Sequence, residues 1–172
     1  TEMRKGVEGL KLVSDRFGKI GSTPQLVEEN VIQQVEAMVA YIKRRAPNKV
    51  SFNVQKDAHE EVTAMINAPL FDWVIENLLK NALDAMEGHG AINITIKNEA
   101  TQVVIDISDT GKGISKKNIA NVFKPGVTTK KRGWGLGLSL SKRIIEQYHK
   151  GELFVKHSEL GKGTTFRILL KK

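Results

Sequence analysis

Two stretches in the middle of the chain alternate apolar and polar residues with a period of two: INITIK at 92–97 and QVVIDIS at 102–108. That period turns every second side chain to one face, so each stretch reads as a strand with a buried side. The intervening NEAT is short enough for a hairpin, which makes the pair antiparallel. Just upstream, PLFDWVIENLLKNALDAM at 69–86 is the most apolar helical stretch of the chain. Gly88 and Gly90 follow it and suit a helix stop.

The remaining segments fill in around this unit. Residues 1–20 place Met3, Val7, Leu10, Val13, Phe17 and Ile20 at spacings of three and four, as one amphipathic helix. The spacing alone suits equally a surface helix packed on its own domain and the end of a longer helical hairpin. Gly21, Ser22, Thr23 and Pro24 then punctuate the chain. A second helix is expected from Leu26 to Arg45, stopping before Pro47. Short strands are expected at Val50 to Val54 and Glu61 to Ile66, a helix at Leu136 to Tyr148, and strands at Leu153 to Lys156 and Thr165 to Leu170. Helices mixed with antiparallel hairpins favour an α/β two-layer sandwich over a parallel doubly wound sheet.

With 172 residues, one domain with a sizeable core is expected, with no more than a short appended element. The chain has no cysteine, so neither a disulfide framework nor a Cys-bearing metal site is available. A reducing, cytoplasmic setting is expected, and no apolar run approaches the ~18 residues that span a bilayer. The formal charge of +8 invites a nucleic-acid reading. Basic residues are mostly dispersed, however, and aromatics for base stacking are few, so a solvated surface with a local phosphate site fits better than a nucleic-acid partner.

Three constellations carry chemistry. Asn77, Asn81 and Asp84 follow at steps of four and three along one face of the apolar helix. An Asn amide oxygen is a suitable hard ligand for Mg²⁺, although a plain solvated face has the same pattern. Asp109, Gly111 and Gly113 in DTGKGI come directly after a strand. A carboxylate there can accept from an exocyclic amine, and glycines let a flat ring approach the backbone; an ordinary glycine turn has the same sequence. Gly133, Gly135 and Gly137 in GWGLGLSLSKRII lead into a helix, whose free N-terminal amides suit phosphate oxygens. Thr128, Thr129, Lys130, Lys131 and Arg132 just before them supply hydroxyls and cations, as would a charged surface loop. Neither the Walker pattern nor the Rossmann glycine spacing is present.

Taken in order, NLLKNALDAM, DTGKGI, NVFKPGVTTK, GWGLGL and GKGTTF resemble the successive nucleotide boxes of the histidine kinase ATPase family, over roughly residues 25 to 171. The resemblance implies a Bergerat fold, a mixed sheet covered on one face by helices, with ATP and Mg²⁺ as cofactors. It implies Asp109 as the reader of the adenine amine, Gly111 and Gly113 in the adenine loop with Gly113 beneath the ring, and Thr164 assisting through water. Asn81 corresponds to the magnesium asparagine, with Asn77 a further candidate ligand one turn earlier. Lys130, with Thr128 and Thr129, falls where terminal phosphates are contacted, and Gly135, Leu136 and Gly137 match the phosphate cradle. Asn81 and Lys130 are thereby the expected catalytic residues. Trp134 departs from the small residue usual between those glycines, and Asp84 stands where many kinases carry Lys.

The resemblance divides the chain into 1–20, the C-terminal part of a dimerisation helix; 21–25, a linker; and 26–172, the ATP-binding catalytic domain. It implies transfer of the γ-phosphate to a histidine on a dimerisation domain, a response regulator downstream, a homodimeric parent protein and no membrane contact by this chain. A non-kinase ATPase or a nucleotide-dependent interaction module is the alternative. Relatives of the ATPase kind resemble one another in carrying a glutamate at the Asn77 position as general base, a role that an amide cannot fill. His59, His89, His149 and His157 all read as exposed structural histidines. Their surroundings lack the helical acceptor context, so the phosphorylated histidine is expected elsewhere in the parent protein.

Overall fold

The computed structural model describes residues 24–56, 61–125 and 137–172. In chain order its elements are β1 (Val27–Asn30), α1 (Val31–Lys43), β2 (Val50–Lys56), β3 (Thr63–Ile66) and α2 (Ala68–Met86). Then come β4 (Gly90–Asn98), β5 (Gln102–Asp109), the single turn α3 (Lys116–Ile119), and α4 (Gly137–Arg143) running into a π-turn (Ile144–Tyr148). β6 (Glu152–Glu159) and β7 (Gly163–Lys171) close the chain. The helix expected over residues 1–20 lies outside the described residues.

Five strands form one sheet in the order β2, β4, β5, β7, β6. β2 runs parallel to β4 and the other pairings are antiparallel, so the sheet is mixed. The expected hairpin is β4 with β5: Ile94 stands opposite Ile107, and Ile96 opposite Ile105. β7 continues the row, with Ile168 opposite Ile105 and Phe166 opposite Ile107. These side chains form one face and share a core with Val35, Ile42, Leu70, Val74, Leu78 and Ile145 of the helices. The two-layer α/β arrangement thus follows from the alternation that the sequence displays.

On the opposite face Thr95, Asp106 and Arg167 stand in cross-strand line. Arg167 grips Asp106 through two bonds of 2.8 Å each. Burial pushes the Asp106 carboxyl up, but the Arg167 fork and the Lys156 charge more than reverse this and hold it below the usual carboxylate range.

The chain departs from expectation at three places. The helix expected from Leu26 begins only at Val31, because residues 27–30 pair with β3, Val27 opposite Ile66. Asn30 stays extended and its side chain accepts from the Gln33 amide at 3.0 Å, which caps the helix there. At the end of α2, Glu87 rather than a glycine takes the left-handed position, with φ of 54°. The helix expected to run to Tyr148 widens after Arg143 into the π-turn, where the His149 amide donates to the Ile144 carbonyl five residues back.

His149 ends that turn, and contrary to expectation it is not exposed: it is 4% exposed. Its Nδ1 lies 3.0 Å from the Ile144 carbonyl oxygen. Its Nε2 lies 3.1 Å from the Asn67 backbone nitrogen. A carbonyl can only accept and an amide N–H only donates, so Nδ1 carries the hydrogen and Nε2 the lone pair. Asn67 in turn caps α2, its Oδ1 accepting from the Leu70 amide at 3.2 Å, and its Nδ2 donates to the Gln25 carbonyl at 3.1 Å. His89 and His157 are exposed as expected, and His59 lies outside the described residues.

Burial lowers the His149 pKa, so the folded site refuses a proton that the unfolded chain takes up. Its contribution to stability is present above the unfolded value near 6.5 and is lost as pH falls towards the depressed folded value. His149→Gln should cost about 1–3 kcal/mol at neutral pH. Denaturant titrations should show the gap between variant and wild type narrowing as the pH is lowered to about 5. A gap independent of pH would contradict the neutral, two-bond histidine.

Candidate functional site

The polar stripe of α2 and the glycine segments meet along one side of that helix. Val74, Ile75, Leu78, Leu79 and Ala82 are buried in the core, while Asn77 and Asn81 are half-buried and Asp84 is exposed. The two asparagines are therefore partly covered, and Asp84 is open to water.

α4 starts against this stripe. A Cβ on Gly137 would stand 2.8 Å from Asn77 Oδ1, so the helix begins as close to the amide as a residue without a side chain permits. One turn on, Ser141 is fully buried. Its hydroxyl donates to the Gly137 carbonyl at 2.8 Å and accepts from Asn77 Nδ2 at 3.0 Å.

The end of β5 builds the second cluster. Asp109 is 7% exposed, and its Oδ1 accepts from the Gly111 amide at 2.9 Å and from the Thr164 amide at 3.3 Å. These two bonds fix the carboxylate at the junction of β5 and β7. The Thr164 hydroxyl pairs with Ser158 Oγ at 2.8 Å, and that oxygen also accepts from the Ile114 amide at 2.7 Å. Gly111 packs on α2: a Cβ there would lie 2.5 Å from the Ala85 carbonyl oxygen, to which the Lys112 amide donates at 2.9 Å. Gly113 has φ of +75°, and a Cβ on it would meet the Glu159 carbonyl oxygen at 2.1 Å. Only glycine tolerates both the dihedral and the approach.

The two clusters are thus joined by α2. Gly137 meets it at Asn77 and Gly111 at Ala85, eight residues apart, or about 12 Å along the axis. Asn81 lies midway. Of the residues singled out in the sequence, Asn77, Asn81, Asp109, Gly111, Gly113, Gly137 and Thr164 share this stretch. Thr128, Thr129, Lys130, Trp134, Gly135 and Leu136 lie outside the described residues.

Three side chains matter here that sequence spacing does not single out. Phe123 packs edge-on against Phe166 with ring centroids 6.0 Å apart. Lys142 of α4 lies 4.5 Å over the Phe123 ring and donates to the Leu153 carbonyl at 2.7 Å. Ser141 is the third. Its signal was present: a small polar residue four positions after Gly137, inside an otherwise apolar helical run.

The donor set fits Mg²⁺ in one respect. Among the described residues no three His, Cys, Asp or Glu converge as a protein-only metal cage. Amide oxygens of Asn77 and Asn81 on a half-buried face suit a hard cation that keeps water and phosphate ligands of its own.

Residues 67–172 match the family model described as histidine kinase-, DNA gyrase B-, and HSP90-like ATPase. The chain is 35% identical over 151 residues to sporulation kinase E of Bacillus subtilis, covering 86% of this chain and 20% of that protein. It is 41% identical over 97 residues to sensor histidine kinase ZraS of Escherichia coli, covering 56% of this chain and 20% of that protein. The chain therefore spans about a fifth of the length of these curated relatives. Among solved structures, the nucleotide-free catalytic domain of histidine kinase ThkA is similar, with a TM-score of 0.78 at 26% identity, covering 86% of this chain and 96% of that one. The same kinase in complex with response regulator TrrA has a TM-score of 0.77 at 22% identity, covering 98% of this chain and 49% of that one.

Because the atoms facing Gly111 are the carbonyl group and Cβ of Ala85, fixed to α2, they cannot swing aside. Gly111→Ala should lift the Asp109 loop off the helix and cost about 1–3 kcal/mol in a denaturant melt. Wild-type stability in that variant would show that the loop and α2 are not in contact as described.

Proposed function

The chain belongs to the family of histidine kinase-, DNA gyrase B- and HSP90-like ATPases, and from that premise we propose that it is the ATP-binding catalytic domain of a two-component sensor histidine kinase. It binds MgATP and passes the γ-phosphate to a histidine on a dimerisation domain of the parent protein. Residues 26–172 are the catalytic domain in this reading, 21–25 the linker and 1–20 the end of a dimerisation helix. The parent protein works as a cytoplasmic or membrane-anchored homodimer and hands its phosphate to a response regulator. The named relatives support this reading, as does the ThkA structure with its regulator. No described helix is long and apolar enough to cross a membrane.

Asn77 is the observation that carries the choice of kinase over ATPase. An amide cannot take a proton from water, and here its nitrogen is already committed to Ser141. Activation of the attacking group must then come from outside this face, as transfer to a histidine on another domain requires.

Within the site, Asp109 reads the adenine amine while Gly111 and Gly113 let the base lie close to the backbone; Thr164 holds Asp109 in place. Asn81 supplies an amide oxygen to Mg²⁺, with Asn77 as a further donor. When bound, Mg²⁺ neutralises phosphate charge and orients the terminal phosphate. Gly137 opens α4 beside the phosphates, continuing the cradle proposed for Gly135 and Leu136. Thr128, Thr129 and Lys130 contact the terminal phosphates, and Lys130 shares the catalytic role with Asn81.

Calorimetry should detect MgATP binding, and Asp109→Asn should weaken it by about 1–3 kcal/mol, since an acceptor is replaced by a group that also presents a donor. Incubation with labelled ATP and histidine-bearing dimerisation domains should give acid-labile, alkali-stable label on the added domain and none on His59, His89, His149 or His157. Steady phosphate release without transfer would replace the kinase reading with an ATPase one, and neither outcome with an interaction module.

A further inference from the structure

Ser141 is not itself among the residues that the nucleotide boxes assign to a ligand, yet it is fully buried and bonded to Asn77. A serine hydroxyl has a single proton. Here that proton goes back along the helix to the Gly137 carbonyl at 2.8 Å, a bond that serine commonly makes within a helix. What remains on Oγ is acceptor capacity alone, and at 3.0 Å it faces the Asn77 amide. Only the nitrogen end of that amide can satisfy it. Turning the amide over would set two acceptor oxygens against each other or pull the hydroxyl off Gly137.

Gly137 closes the arrangement from the other side. A Cβ there would stand 2.8 Å from Asn77 Oδ1, 3.3 Å from Nδ2 and 3.4 Å from Cγ, so the backbone at the start of α4 lies against the outer edge of the amide, nearest its oxygen. The amide is held by a hydrogen bond at its nitrogen and by van der Waals contact beside its oxygen.

We infer that Ser141 is a positioning residue which fixes the amide of Asn77 with its nitrogen towards Ser141, so that its oxygen is kept for the nucleotide site. An amide free to turn would present a donor about as readily as an acceptor, and a donor repels Mg²⁺. Locked by Ser141, Asn77 is a hard neutral oxygen donor beside Asn81. The same lock ties the start of α4 to α2, so the helix that opens at the phosphates and the helix that bears the metal ligands keep one spacing.

This inference rests on the reading that the chain binds MgATP, and its test separates the two. ATP affinity is measured by calorimetry with and without Mg²⁺ for wild type, Ser141→Ala and Ser141→Thr. The enhancement by Mg²⁺ should fall about fivefold in Ser141→Ala, the worth of one aligned neutral hydrogen bond. Affinity without Mg²⁺ should stay within about twofold, and Ser141→Thr, which keeps the hydroxyl, should retain the enhancement. In parallel, the Asn77 side-chain amide protons, followed by NMR without any nucleotide, should exchange slowly in wild type and faster in Ser141→Ala. Should Ser141→Ala fail to fold, Ser141→Cys, a weaker acceptor, is expected to show the same loss in smaller degree.

An unchanged Mg²⁺ enhancement in Ser141→Ala, or an equal loss with and without Mg²⁺, would overturn the positioning role. A wild-type chain that binds no ATP would overturn the functional reading instead. Slow exchange of the Asn77 amide, lost in Ser141→Ala, would then still uphold the orientation that the hydroxyl imposes.

Discussion

Three separate pieces of chain converge on Asn67. Its side-chain oxygen caps α2 at the Leu70 amide, its side-chain nitrogen holds the Gln25 carbonyl that leads into β1, and its backbone N–H docks on His149 at the end of the π-turn. Each is a modest bond of the kind that contributes about 1 kcal/mol in isolation. Together they set where α2 begins relative to the segment before it and the helix that packs beside it. Every candidate site position on α2 inherits its height from that start: Asn77 is ten residues on, Asn81 fourteen and Ala85 eighteen. A helix rising 1.5 Å per residue turns one fixed end into fixed positions along its whole length.

α2 can serve as this ruler because it divides its surface cleanly. One side is closed into the core by Leu70, Val74, Leu78 and Ala82, which leaves no freedom to rotate. The other side receives backbone at two points, Gly137 and Gly111, where even a methyl group would intrude. Rigid contact on both sides differs from the usual surface helix, which is packed on one side and bathed on the other. A site assembled from segments 64 residues apart in sequence, as Asn77 and Ser141 are, needs such a shared reference.

Much of this is legible in the sequence, and the reasons for the failures are physical. The β4 and β5 hairpin and the α2 stripe announce themselves through period alone, because their pattern is decided by one buried face. β1 does not: its VEEN continues smoothly into a helical pattern, and only the partner strand β3 and the Asn30 cap break it. Nor does the π-turn, which ends at a histidine bonded to Asn67, 82 residues away in sequence. Burial of His149 was missed for the same reason, since a histidine near a glycine at a helix end looks exposed until the partner that covers it is known. Asn77, Asn81, Asp109, Gly111, Gly113, Gly137 and Thr164 were all readable as a set through their order. Phe123, Lys142 and Ser141 act through contacts with distant elements, which spacing does not encode. Lys130, Thr128, Thr129, Gly135 and Leu136 stay at the level of their sequence motif.

The π-turn between Ile144 and Tyr148 carries one residue more per hydrogen-bonded loop than an α-helix would. Were the same residues wound as ordinary α-helix, the following position would swing by roughly 100° around the axis, taking the imidazole away from Asn67. The wider winding of this short turn, the histidine after it and the asparagine before α2 are therefore coupled. Divergence at any of the three obliges the other two to change with it.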